Sequence, residues 1–265
     1  MPGLVTPSER PLTLVERALR SGRAPDVILL ILVPVSCWIW IAVMAVDMYG
    51  PMTGASAWMM TPEWDAPHLL LLWAMWTVMM AGMMLPSASP LVLLYGASAR
   101  RSGLATAGRQ IYALAGGYLF VWAVFSLVAT AMQRGLAALL LVSPMMEASS
   151  SRVVAALLLL AGVYQLTPIK DTCLRACRSP LGFLMSRWRD GVPGAFRMGI
   201  QHGIYCVGCC WALMLLLFAG GVMNLAVIAA LSALVAFEKL VPLGLQTARI
   251  IGVLLIAAGL WTLTH

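Results

Sequence analysis

Three cysteines and a histidine share one short apolar segment, His202-Gly-Ile-Tyr-Cys-Val-Gly-Cys-Cys-Trp211. On an α-helix turning about 100° per residue, His202, Cys206 and Cys209 fall within about 60° of one another. Met198 stands beside them, and Cys210 and Met214 continue the face at roughly 80° and 120° from His202. Imidazole, thiol and thioether on one stripe make a soft-ligand surface. Such ligands select Cu(I), with Zn(II) the alternative where thiolates dominate. A lone membrane cysteine is ordinarily a small buried apolar group. Three of them with a histidine at i, i+4, i+7 and i+8 point instead to metal or redox chemistry.

The other cysteines divide in the same way. Cys37 stands alone in an apolar run and reads as a packing residue. Cys173 and Cys177 lie four apart in Lys170-Asp-Thr-Cys-Leu-Arg-Ala-Cys-Arg178, so on a helix both thiols share a face. Disulfides compete with metal as an explanation. Thiols near the cytoplasmic side rarely form structural disulfides, and two thiols at i, i+4 meet disulfide geometry poorly. Free thiols or metal thiolates are expected.

Eighteen methionines are present, and they cluster. In residues 73–86, Met75, Met79 and Met83 form one i, i+4 row, and Met80 with Met84 the adjacent row. Five thioethers thus occupy one sector of a helix, facing either lipid or the bundle. Met is also a flexible apolar filler, and for this row the two readings are equally open. Gly82 admits close helix approach, and Pro86 frees the Gly82 carbonyl, which then needs a local donor. Met44, Met48, Met52, Met59 and Met60 run from the end of the first apolar stretch toward Glu63, Asp65 and His68. Thioethers have no proton to lose. A methionine-rich outer approach leading to deeper thiols would form a rising affinity gradient for Cu(I).

The elements that carry these residues must be membrane helices. Of the 265 residues, 62% are hydrophobic and only 10% charged, against about 25% in ordinary soluble domains. That excludes a soluble globule and intrinsic disorder alike. Seven stretches approach the roughly 20 apolar residues a span needs: 27–46, 68–95, 109–132, 153–168, 198–220, 223–241 and 247–264. The fourth is short and the sixth follows the fifth almost without a loop, so six or eight spans are alternatives. The runs are continuous rather than alternating, which argues against strands. The fold expected is all-α, a polytopic transmembrane bundle of about seven spans.

With seven spans and the N-terminus inside, all of the seventeen basic residues except Arg134 and Arg152 fall on the inner side. The net charge of +7 then reflects a cytoplasmic face against anionic lipid headgroups in the plasma (inner) membrane, not nucleic-acid binding. Residues 1–26 read as a basic cytoplasmic segment and 27–265 as the transmembrane domain. The leader is long and no small-residue cleavage site ends the apolar run, which argues against a cleaved signal peptide. Residues 13–20 fit a short amphipathic helix on the inner surface. Nothing matches a nucleotide-binding loop, which argues against ATP-driven pumping by this chain alone. Glu238 and Lys239, near the inner end of the sixth stretch, have a functional or a snorkelling role. Asn224 is placed to cap that helix or to bond across the bundle. Gly199 and Gly203 have the spacing for close contact with another helix.

These pieces together resemble family 2182 of the domains of unknown function, described as predicted metal-binding integral membrane proteins. The resemblance is carried by residues 76–86, 164–180, 199–214 and 221–224 and by Glu238-Lys239, and covers about residues 70–240. Its most specific part is the Cys206-x-x-Cys-Cys-Trp211 run; at Gly82 the family more often carries Ala. What the resemblance implies is metal binding in a membrane, with no settled activity.

Three functions compete. In the first, the chain handles Cu(I), by uptake or by delivery to a membrane copper enzyme. Met79, Met80, Met83 and Met84 with Met75 relay the ion, and His202, Cys206, Cys209 and Cys210 hold it. Cys173 and Cys177 pass it to a cytosolic metallochaperone or other acceptor. In the second, the thiols form a membrane thiol oxidoreductase. In the third, Met and Cys merely pack an accessory subunit. No residue is assigned a catalytic or organic-cofactor role.

Overall fold

The computed structural model describes residues 23–50, 64–101, 106–143 and 146–264. The proposed helix at 13–20, and Met52, Met59, Met60 and Glu63 of the outer approach, lie outside the described residues.

Among the described residues ten helices make the fold, and prolines and polar caps set most of their ends. α1 (Ala24–Met48) starts with Pro25 in its first turn and contains a π-helical turn at Ile28–Leu32. That turn lies just before Pro34, which has no amide for the Leu30 carbonyl. α2 (Ala66–Met84) is capped by the Asp65 carboxylate, which accepts the His68 amide at 3.0 Å. Pro86 opens a short 3-10 turn, Pro86–Ala88, before α3 (Ser89–Arg101). The 68–95 stretch is therefore not one rod, because a proline cannot continue the hydrogen-bond ladder of α2. The freed Gly82 carbonyl finds its local donor in the Trp38 indole, 3.3 Å away on α1.

α4 (Ala107–Ala138) is the longest helix. α5 (Ser151–Gln165) is capped by Ser150 and α6 (Pro168–Arg178) by Thr167, with Pro168 in its first turn. These two meet at 65°, an elbow where the sequence suggested a single short span. α7 (Pro180–Arg187) follows, then α8 (Gly191–Gly220), broken locally at Leu215. Gly221, with φ +92°, makes the turn into α9 (Leu225–Leu240). Asn224 caps α9 through the Ala226 and Val227 amides, which decides its role as a cap. α10 (Gly244–Thr264) completes the chain. Among the described residues there is no strand, only one isolated bridge between Val142 and Ala148.

Among the described residues five helices, α1, α2, α4, α8 and α10, are long and apolar enough to cross a membrane, and the bent pair α5–α6 brings the count to six. The remaining stretch, the sixth, is α9, whose 16 residues fall short of the roughly 20 a span needs. Seven is thus a rough count. Apolar side chains such as Ile39 and Val43 on α1 and Val253 and Trp261 on α10 are more than half exposed, as expected of lipid-facing helices. α8 is the most buried of the long helices, with 61% of its apolar window inside.

Small residues let α8 reach the centre. A Cβ added at Gly199 would strike the Leu114 carbonyl of α4, and one at Gly117 the Phe196 carbonyl of α8. Two backbones touching is what the Gly199–Gly203 spacing anticipates. Neither backbone atom has room to move away. Gly199→Ala is expected to destabilise the detergent-solubilised protein by about 1–3 kcal/mol. Gly116→Ala, where an added Cβ meets nothing within 4 Å, leaves the thermal midpoint unchanged or raises it. Equal midpoints for the two variants would rule out the tight α4–α8 crossing.

Candidate metal centre

Six elements converge where α2 gives way to the Pro86 turn. α2 supplies Met84, the turn Ser87, α4 Tyr118, α8 its three cysteines and α9 Lys239; α6 closes the side with Cys177. Met75, Met79, Met80, Met83 and Met84 are all buried at 2% exposure or less. The thioether row therefore faces the bundle, not lipid. Met79, Met80, Met83 and Met84 belong to the same core cluster as Cys206, Cys209 and Cys210.

Cys206 is the hub. The Lys239 ammonium donates to its sulfur at 2.8 Å and to the Ser87 hydroxyl at 3.1 Å. The Tyr118 hydroxyl lies 3.0 Å from the same sulfur and donates to the Met84 carbonyl at 2.9 Å. Lys239 and Glu238 are both buried, so neither snorkels. Cys209 and Cys210, three and four residues on, each turn back to the Cys206 carbonyl, at 3.1 and 3.0 Å. One carbonyl thereby orients two thiols toward different neighbours. Cys209 Sγ stands 4.0 Å from Cys177 Sγ of α6, and Cys210 Sγ stands 4.0 Å from Met84 Sδ of α2.

Not every expected ligand joins this cluster. His202 is buried one turn earlier, with its ring against Tyr118 at 5.8 Å and Phe183 at 5.4 Å, and its Nδ1 has no hydrogen-bond partner. Cys173 is half-buried and packs against Gly208 instead. Cys37 lies on α1 against Gly82. All six cysteines are free thiols. Among the described residues no three His, Cys, Asp or Glu side chains are arranged to hold a metal ion together. The donors present are sulfur pairs, thiol with thiol and thiol with thioether.

A second buried polar knot holds α9 in place. Lys170 Nζ and Glu238 Oε2 pair at 2.7 Å with both side chains essentially fully buried. Gln165 donates to the other Glu238 oxygen at 2.8 Å. The Arg178 guanidinium donates to the Glu238 and Pro242 carbonyls at 2.6 and 2.7 Å. Lys170, expected among the basic residues of an inner loop, is buried because the α5–α6 elbow turns it into the bundle. Tyr164 donates to the Gly208 carbonyl and its ring lies 5.0 Å from Trp211, fixing the elbow against α8.

Tyr118, Ser87 and Lys170 were not weighed as site residues from sequence. Ser87 carries a faint signal, following directly on Pro86, and Lys170 stands inside a segment already singled out. Nothing local marks Tyr118, which lies 88 positions from Cys206.

The architecture is that of an all-helical, polytopic protein whose long apolar helices fit a membrane, with its sulfur donors gathered inside. The family model PpoB2, described as copper chaperone, matches residues 73–262, and the chain belongs to that family. No curated protein and no solved structure matches it. Of the earlier resemblance, the metal-handling part is thereby upheld, and the metal of the family is copper.

The Lys170–Glu238 pair gives a sharp test of the α6–α9 joint. Breaking one partner of a buried ion pair strands the other charge, at about 3–5 kcal/mol. Lys170→Met alone is expected to lower the thermal midpoint strongly, and Lys170→Met with Glu238→Gln to recover part of the loss. A double variant no more stable than the single one would deny that the two charges depend on each other.

Proposed function

We propose that this chain carries Cu(I) within the bilayer, held by thiol and thioether groups, and hands it to a copper-dependent membrane enzyme or a metallochaperone. The observation that carries the reading is the pairing of Cys209 with Cys177 and of Cys210 with Met84, each at 4.0 Å between sulfurs, inside a buried cluster. A metal about 2.3 Å from each of two sulfurs spans up to about 4.6 Å, so either pair accommodates an ion with a bent bridge. Thioethers and thiols are the soft donors that favour Cu(I). Structural zinc sites take four ligands, and the want of a three-membered His, Cys, Asp or Glu group among the described residues weighs against zinc.

The row Met75, Met79, Met83 with Met80 and Met84 is the approach, and the α8 thiols with Cys177 are the holding group. Met84 joins the two, since its sulfur is nearest Cys210. Cys173 stands one turn from Cys177 as the next thiol toward the inner surface, and His202 contributes after a shift of its ring. The distribution of basic residues supports an orientation with the N-terminus and the α6–α7 segment on the inner side of the plasma membrane. Residues 1–26 then form a cytoplasmic segment ahead of the metal-handling domain.

The Cys177–Cys209 distance also favours a second reading, a thiol oxidoreductase cycling between free and disulfide-bonded forms. Thiol trapping during turnover separates the two. Under the copper reading these cysteines remain free.

Purified wild-type protein is expected to retain copper. Cys206→Ser and Cys209→Ser should each lose most of it, and Cys37→Ser should match the wild type. Equal copper in wild type and both α8 variants would remove the assigned site.

A further inference from the structure

Lys239 is an unusual neighbour for a cation-binding thiol. Its ammonium is buried, its sulfur contact at 2.8 Å is Cys206, and its other partner is the neutral Ser87 hydroxyl. Among the described residues no carboxylate pairs with it, for the ion pairs there are Arg100–Asp26, Lys170–Glu238 and Arg249–Asp171. Glu238, its neighbour in sequence, is already committed to Lys170 and Gln165. A positive charge in an apolar interior requires a negative partner close by. The group at Lys239 that can supply one is a sulfur, Cys206 at 2.8 Å, with Cys209 and Cys210 one turn on along the same helix and bonded to the Cys206 carbonyl.

Charge counting then gives the ammonium a role. Two thiols and one Cu(I) form a bis-thiolate complex with one net negative charge, and their two protons leave to water; no electron moves. In a low-dielectric pocket that complex needs one fixed positive charge. A divalent ion on the same two thiolates is already neutral, and beside it the buried ammonium is left uncompensated. We propose that Lys239 is the counter-ion of a Cu(I) complex held by two thiolates of the α8 cysteine group, Cys206 among its ligands, and that it biases the site toward a singly charged soft ion over a divalent one. This rests on the reading of Cys206 as a copper ligand. The placement of Lys239 follows from the α6–α9 knot, since Glu238 held by Lys170, Gln165 and Arg178 turns the next residue toward α8.

The test compares full-length wild type, Lys239→Met, Lys239→Gln, Lys239→Arg and Cys206→Ser in detergent, with Cu(I) affinity read by competition against a chromogenic chelator. Lys239→Met and Lys239→Gln are expected to bind Cu(I) on the order of a hundredfold more weakly, the size of effect seen when one charge of a buried pair is removed. Both should move preference toward Zn(II), and Lys239→Arg should keep the affinity and preference of the wild type. A purely structural lysine would not shift the Cu(I)-to-Zn(II) preference. Unchanged or tighter Cu(I) binding in both neutral variants, while Cys206→Ser loses copper, overturns the counter-ion role and leaves the site standing. Undiminished copper in Cys206→Ser overturns the site itself. Should the neutral variants fail to accumulate, wild-type protein challenged with Ag(I) and Cd(II) decides. Preferential retention of Ag(I) supports the role, and equal retention of the two ions overturns it.

Discussion

The contact between the Lys239 ammonium and the Cys206 sulfur is the constraint that the centre of the sulfur cluster is built around. A buried ammonium is costly unless its donors are met, and here they are met by a sulfur and a hydroxyl from different elements. Ser87 reaches the site because Pro86 ends α2 and the chain tightens into a 3-10 turn. Cys206 reaches it because α8 touches α4 through glycine at positions 199 and 117, which brings the cysteine face up to Tyr118. Lys239 reaches it because α9 is anchored at Glu238 by groups from α5 and α6. Three separate devices, a proline break, a glycine crossing and a buried ion pair, thus serve one point in space.

The sulfur pairs belong to the same logic. Cys209 and Cys210 follow Cys206 by three and four residues, so both reach back to its carbonyl, and the helix turn sends one thiol toward α6 and the other toward α2. On the proposed carrier role, the site must hold its ion and also give it up. Pairs of soft donors on separate elements suit ligand-by-ligand exchange better than a closed tetrahedral cage, in which every donor must let go together. The apolar surroundings strengthen each electrostatic contact and exclude competing water.

Much of this was legible in the residues. The glycine spacing on α8, the freed Gly82 carbonyl, the five-methionine sector and the intramembrane Glu238–Lys239 pair each follow from local chemistry, and each has a physical counterpart in the fold. The sequence left open whether the methionines face lipid, because lipid and core are equally apolar and periodicity does not distinguish them. Only the position of α2 among α1, α4 and α9 does. Likewise the break after Met84 was overrun by counting apolar residues, which ignores that Pro86 and Pro90 interrupt the amide ladder. Lys170 was misplaced for the opposite reason. Its flanking polar residues read as a wet loop, but α6 turns at 65° and buries that lysine against a carboxylate 68 positions away. Tyr118 carries no local signal of its own: a tyrosine in an apolar helix gains meaning only from what crosses it.

The shortness of α9 becomes intelligible in these terms. A helix of 16 residues cannot present a full apolar length to lipid on its own. It has no need to, since Glu238 and Lys239 in its last turn are buried and find partners on α5, α6, α8 and the Pro86 turn that lipid would not supply. Extending α9 by a turn would push Lys239 past Cys206 or draw Glu238 away from Lys170, and either displacement leaves a charge without compensation. The length of this helix is therefore matched to the electrostatics at its C-terminal end, more than to the thickness of a hydrocarbon layer.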